Sequence, residues 1–118
     1  MKRIVGLLVL VWFLSLMYPG IAGAWISGSK LLEGMKESEN MEQRKPAVDF
    51  TAGWYIGFVS GVTETGNIYQ SFCLGENVSV AQSVAVVEKY LKEFPEKWNQ
   101  PAHILVIDAL KKAFPCGR

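Results

Sequence analysis

Apolar residues recur at steps of three and four along much of this chain, and over no comparable length do they alternate as a half-buried strand would. The clearest run is Val80–Phe94. Val80, Val84, Val87, Leu91 and Phe94 line one side of a helix, while Glu88, Lys89, Lys92 and Glu93 face water. Ser79 is a good N-cap, with Gln82 three residues later as in a capping box, and Pro95 ends the run. Asn77-Val78-Ser79 also matches a glycosylation acceptor, but the cap explains Ser79 better. A second run, Pro101–Phe114, places Ala102, Leu105, Val106, Ala109, Leu110 and Phe114 on one face. Pro101 suits the first helical position, and Lys111 and Lys112 complement the negative pole of the helix end. The short Pro95–Gln100 connection predicts an antiparallel helical hairpin.

Upstream the pattern is less regular. Trp25, Ile26, Leu31, Leu32 and Met35 predict a first helix of two or three turns. Lys36–Pro46 is polar, without an apolar period, and reads as a loop. Ala47–Ser71 is the second element. Its WYIGFVSGV stretch is rich in strand formers but does not alternate, so helix ranks above strand. Gly53, Gly57 and Gly61 then share one helix face. Each glycine costs a helix about 1 kcal/mol relative to alanine, so close packing of another backbone is expected there. Two partners are open: another helix of the same chain, or a second subunit.

The chain opens with a different pattern. Lys2 and Arg3 precede the apolar Ile4–Met17, Pro19-Gly20 breaks it, and Ala22-Gly23-Ala24 is a small-x-small cleavage site. Met1–Ala24 therefore reads as a secretory signal peptide cleaved after Ala24. The alternative, a retained anchor, needs about 20 apolar residues. Export leaves Trp25–Arg118 as one small domain in an oxidising compartment. Its two cysteines, Cys73 and Cys116, bracket the helical hairpin and are expected to be bonded. The fold class predicted is all-α, a bundle of four to five helices stapled by one disulfide, with no membrane association after cleavage.

Charge and chemistry narrow the function. Loss of Lys2 and Arg3 takes the formal charge from +1 to −1, which gives no electrostatic reason to expect nucleic acid. His103 is the single histidine. With no second histidine, free thiol or acidic cluster, it assembles neither a zinc site nor a triad. No phosphate loop occurs. No cofactor, metal or catalysis is expected. The candidate binding surface is the hairpin tip, where Glu96, Lys97, Trp98 and Asn99 stand together. Trp98 has two readings: an interface anchor, as aromatic residues often are, or a cap folded back on the core between Phe94 and Pro101.

YIGFVSGV, FCLGENVSVAQ and KYLKEFPEKWNQPAHILVIDALKKAFPC resemble the Rap/Tai family of small exported immunity proteins of type VI secretion systems. The resemblance covers Tyr55–Cys116. Its most specific pieces are Phe72-Cys73-Leu74, Gln82, Tyr90-Leu91, Phe94-Pro95-Glu96, Pro101-Ala102, Ala109-Leu110 and Ala113-Phe114-Pro115-Cys116. It implies an all-helical, often dimeric periplasmic protein that binds and blocks a cell-wall amidase effector. Many relatives carry a second cysteine pair where this chain has Met35 and Ala52, and a proline where it has Gly75. A second function class is a small periplasmic stress chaperone, an expectation resting on size, helicity and compartment alone.

Overall fold

The computed structural model describes residues 26–43 and 50–117, with Met1 and Gly6 besides. Apart from those two residues, the leader Met1–Ala24 lies outside the described residues. So do 44–46 of the expected loop and 47–49 of the second element. Among the described residues there are four α-helices: α1 (Gly28–Gln43), α2 (Phe50–Ile68), α3 (Val80–Glu93) and α4 (Ala102–Ala113). A 3-10 turn, Pro95–Lys97, follows α3. The architecture is the all-α bundle with one disulfide that the patterning predicts.

Helix α2 packs against α1, α3 and α4, and α4 also meets α1 and α3. The buried positions of α2 are Ala52, Tyr55, Val59, Thr63 and Gly66, stepping by three and four. They meet Leu31 and Met35 of α1, Val87 and Leu91 of α3, and Leu105, Val106 and Leu110 of α4 in one core. Phe72, just beyond α2, is fully buried in the same core.

Three expectations are corrected. Helix α1 begins at Gly28 and runs through the segment expected to be a loop, as far as Gln43. Lys36–Gln43 has no apolar period, but it is rich in residues that lose little freedom in a helix. Its contacts are polar and peripheral: Glu39 pairs with Lys92 of α3, and Ser38 and Met41 are half-buried. Second, of the two partners left open for the glycine face of α2, a helix of the same chain is not found among the described residues. Among the described residues, nothing lies within 4 Å of a methyl carbon built at Gly53, Gly57 or Gly61. The close approaches use other glycines. Such a carbon at Gly34 of α1 would sit 2.8 Å from Tyr55 Cβ, and one at Gly66 2.5 Å from the Phe72 ring. Third, the buried stripe of α3 is Ser83, Val87, Tyr90 and Leu91, while Val80 is half exposed. Val87 and Leu91 are buried as the period predicts and Val84 and Phe94 pack partly buried on the core, so the departure is at Val80, with Ser83 and Tyr90 added to the buried side.

The ends follow local chemistry. Ser79 is the N-cap of α3, its hydroxyl accepting from Gln82 N at 3.2 Å. Pro101 stands at the N-cap of α4 rather than in its first turn, with extended backbone (φ −58°, ψ 139°). The reason is tertiary: Pro101 forms a one-residue antiparallel bridge with Ser27. Cys73 and Cys116 are bonded, with Cα atoms 4.7 Å apart. The bond joins the exit of α2 to the exit of α4, where Cys73 N also donates to Phe114 O at 2.9 Å.

Candidate functional site

The predicted tip residues divide: Lys97 and Trp98 are half-buried, Glu96 and Asn99 exposed. Trp98 folds back: its indole Nε1 donates to Leu91 O at 2.8 Å, and the ring packs on the core. Lys97 follows it, its Nζ donating to the Tyr90 hydroxyl at 2.8 Å and standing 5.2 Å and 5.0 Å from the Tyr90 and Phe94 ring centroids. The bond to Tyr90 raises the Lys97 pKa above its ordinary value. Glu96 and Asn99 stay exposed. Of the two readings of Trp98, the geometry matches the core cap.

The tip is also occupied from within the chain. Gly28 N donates to Gln100 O at 2.7 Å, and Ala102 N donates to Ile26 O at 2.7 Å. Ile26–Gly28 thereby seals the connection between α3 and α4. A methyl carbon at Gly28 would lie 2.5 Å from Trp98 O, 2.5 Å from Leu105 Cδ1 and 2.9 Å from Gln100 O. Only glycine allows two backbones this close.

One cluster was not read from the sequence. Lys112 of α4 reaches back so that its Nζ stands 4.3 Å from the Phe94 ring centroid and 3.5 Å from Glu93 Oε1. Phe94 therefore holds a lysine ammonium from each side of the connection. Beside it, Val86, Tyr90, Ala109 and Ala113 line a shallow cleft of about 240 Å³ walled by Lys89, Glu93 and Lys112. The i, i+4 spacing of Tyr90 and Phe94 is visible in the chain; the arrival of Lys112 is not. A second, open groove of about 660 Å³ lies between α1, α2 and α3, lined by Met41, Ile56, Val80 and Val84 among others.

Among the described residues, no group of three or more His, Cys, Asp and Glu side chains could hold a metal ion. His103 lies half-buried beside an open groove with Gly57, Phe58, Gly61 and Ile107. The most perturbed group is in the core: burial, reinforced by the charges of Glu88 and Glu39, drives the Tyr55 phenol well above its ordinary pKa of 10.0. Its hydroxyl is buried with no hydrogen-bond partner among the described residues.

Met35 and Ala52 are buried, one on each of two helices that pack together. No described helix is long and apolar enough to cross a membrane. These features define a small helical domain clamped by a disulfide. The sequence model of the Rap1a immunity proteins matches residues 27–116, from the segment that seals the tip to the second cysteine, and the chain belongs to that family. No curated protein matches it.

Proposed function

We propose that this protein is an exported immunity protein that binds and blocks a peptidoglycan amidase delivered by a type VI secretion system. The family match over residues 27–116 carries this reading. Inhibition is by contact and needs no chemistry of its own. The compartment is the periplasm, reached through a leader removed after Ala24, where a disulfide such as Cys73–Cys116 persists. Cleavage there leaves a single residue, Trp25, ahead of the docked Ile26–Gly28 segment.

The mature protein is a homodimer in this reading. Support comes from the outward side of α2, where Phe50 is 85 % exposed and Gly53, Gly57 and Gly61 leave room for an approaching backbone. The decisive test is enzymatic. The purified mature chain is added to peptidoglycan amidases delivered by type VI secretion systems, and peptidoglycan cleavage is followed. Stoichiometric loss of cleavage is the expected result. Cleavage undiminished by a large molar excess refutes the reading. Suppression of acid-induced aggregation of unrelated proteins, with the amidase untouched, would instead make the chain a chaperone.

A further inference from the structure

Helix α1 changes character after Met35. Up to that residue it is built into the core. Leu31, Leu32 and Met35 are buried. Gly34 lets α2 come so close that a methyl carbon there would sit 2.8 Å from Tyr55 Cβ. Beyond Met35, no residue from Lys36 to Met41 is buried, although the helix continues to Gln43. This stretch is held by the half-buried Ser38 and Met41 and by the Glu39–Lys92 ion pair, whose side chains are 35 % and 56 % exposed. Ion pairs as open as this contribute little. Segments with few buried apolar contacts and exposed backbone hydrogen bonds open locally, at less cost than unfolding the whole domain.

The same stretch adjoins an ill-matched group. The Tyr55 side chain is fully buried, and its hydroxyl has no hydrogen-bond partner among the described residues. The charges of Glu88 on α3 and Glu39 on α1 both act on it, which puts it in the seam where the second half of α1 faces α3. A buried hydroxyl without a partner is costly, and the cost vanishes once water reaches it. The open groove of about 660 Å³ runs along this seam, with Ser38 and Met41 on its α1 side and Ile56, Val80, Val84 and Glu88 on the other. The closed arrangement is therefore weakly held by its contacts and pressed open by the phenol.

We propose that Lys36–Gln43 is a flap, hinged at Met35, that lifts from α3 and unravels while the rest of the bundle stays folded. Opening wets the Tyr55 hydroxyl and takes Ser38 and Met41 out of the groove wall. The face formed by Ile56, Val80 and Val84 thereby exists in two shapes. The first half of α1 stays in place, because Leu31, Leu32 and Met35 remain buried in the core. The flap is a property of the fold and holds whether or not the chain blocks an amidase.

Residue-resolved hydrogen–deuterium exchange of the purified mature chain tests the flap. Amides of Glu39–Gln43 are expected to exchange about a hundredfold or more faster than those of Leu105–Leu110 in α4, which report unfolding of the whole domain. Tyr55→Phe keeps the ring and removes the hydroxyl, and with it the drive to open. It should slow exchange in the flap about fivefold or more, with helix content by circular dichroism unchanged. Flap amides that exchange no faster than those of α4 overturn the proposal on the parent protein alone. Flap exchange that Tyr55→Phe leaves unchanged overturns it too, since opening then does not reach the hydroxyl. So does flap exchange that the variant quickens, since the hydroxyl is then bonded in the closed state.

Discussion

Replacing Gly28 by alanine tests whether the sealed tip holds the fold together. The added methyl carbon would meet two carbonyl oxygens, Trp98 O at 2.5 Å and Gln100 O at 2.9 Å, and Leu105 Cδ1 at 2.5 Å. A flexible side chain can turn aside, but these carbonyls belong to backbone held by the Gly28–Gln100 and Ile26–Ala102 hydrogen bonds. The segment must lift instead. Overpacking of this kind costs about 1–3 kcal/mol, and a weakened backbone hydrogen bond adds about 1 kcal/mol. Against this stands the preference of a helix for alanine over glycine, about 1 kcal/mol. The expected net loss is about 2 kcal/mol, which for a domain of this size lowers Tm by roughly 8–16 °C. Urea unfolding followed by circular dichroism should show an earlier midpoint at unchanged slope. Gly57→Ala supplies the contrast. With nothing within 4 Å among the described residues, it should gain up to about 1 kcal/mol in the monomer. A Gly28→Ala protein as stable as its parent, or a pair of variants that shift alike, would refute the reasoning and leave helix propensity in charge at both positions.

Other outcomes follow from the same contacts. Trp98→Ala should cost about 2–3 kcal/mol of stability, less than a fully buried tryptophan, whereas Trp98→Phe loses little beyond the bond to Leu91 O; equal melting of the two variants would show that the indole is not a cap. Serine at both Cys73 and Cys116 should lower stability by about 2–5 kcal/mol in chemical unfolding, since the bond closes a span of 43 residues in sequence. Alkaline pH should destabilise the fold. The Tyr55 phenol and the Lys92 and Lys97 ammonium groups all have pKa values raised by folding, Tyr55 by burial, Lys92 by its bond to Glu39 and Lys97 by its bond to Tyr90. Their contribution is complete below the unfolded values of 10.0 and 10.5 and is lost as pH rises through the folded ones. Unfolding free energies that stay flat from about pH 8 to 11 would count against this.

Helix type, the bonded cysteines and the Ser79 cap were legible in the chain because each depends on neighbours a few residues away or on composition. The 3.6-residue period of α4 named Ala102, Leu105, Val106, Ala109 and Leu110, and all five are buried. A lone cysteine pair leaves one pairing, and Cys73–Cys116 is bonded. Family membership was legible too, because it resides in the order of short motifs from Tyr55 to Cys116 and the family match includes that span. Tertiary structure decided what the period cannot encode. It chose which glycines admit a close neighbour: Gly28, Gly34 and Gly66, rather than the regularly spaced Gly53, Gly57 and Gly61. Spacing identifies a face, whereas proximity depends on what the rest of the chain brings to it. Lys36–Gln43 is helical without an apolar stripe, its residues losing little freedom in a helix, and tertiary structure adds the Glu39–Lys92 pair. It drew Trp98 out of the solvent and onto Leu91, because burying an indole with its N–H satisfied is favourable wherever a free carbonyl and an apolar wall coincide. It left Ile68 and Tyr69 outside, on a corner whose rigidity comes from a disulfide partner more than forty residues away.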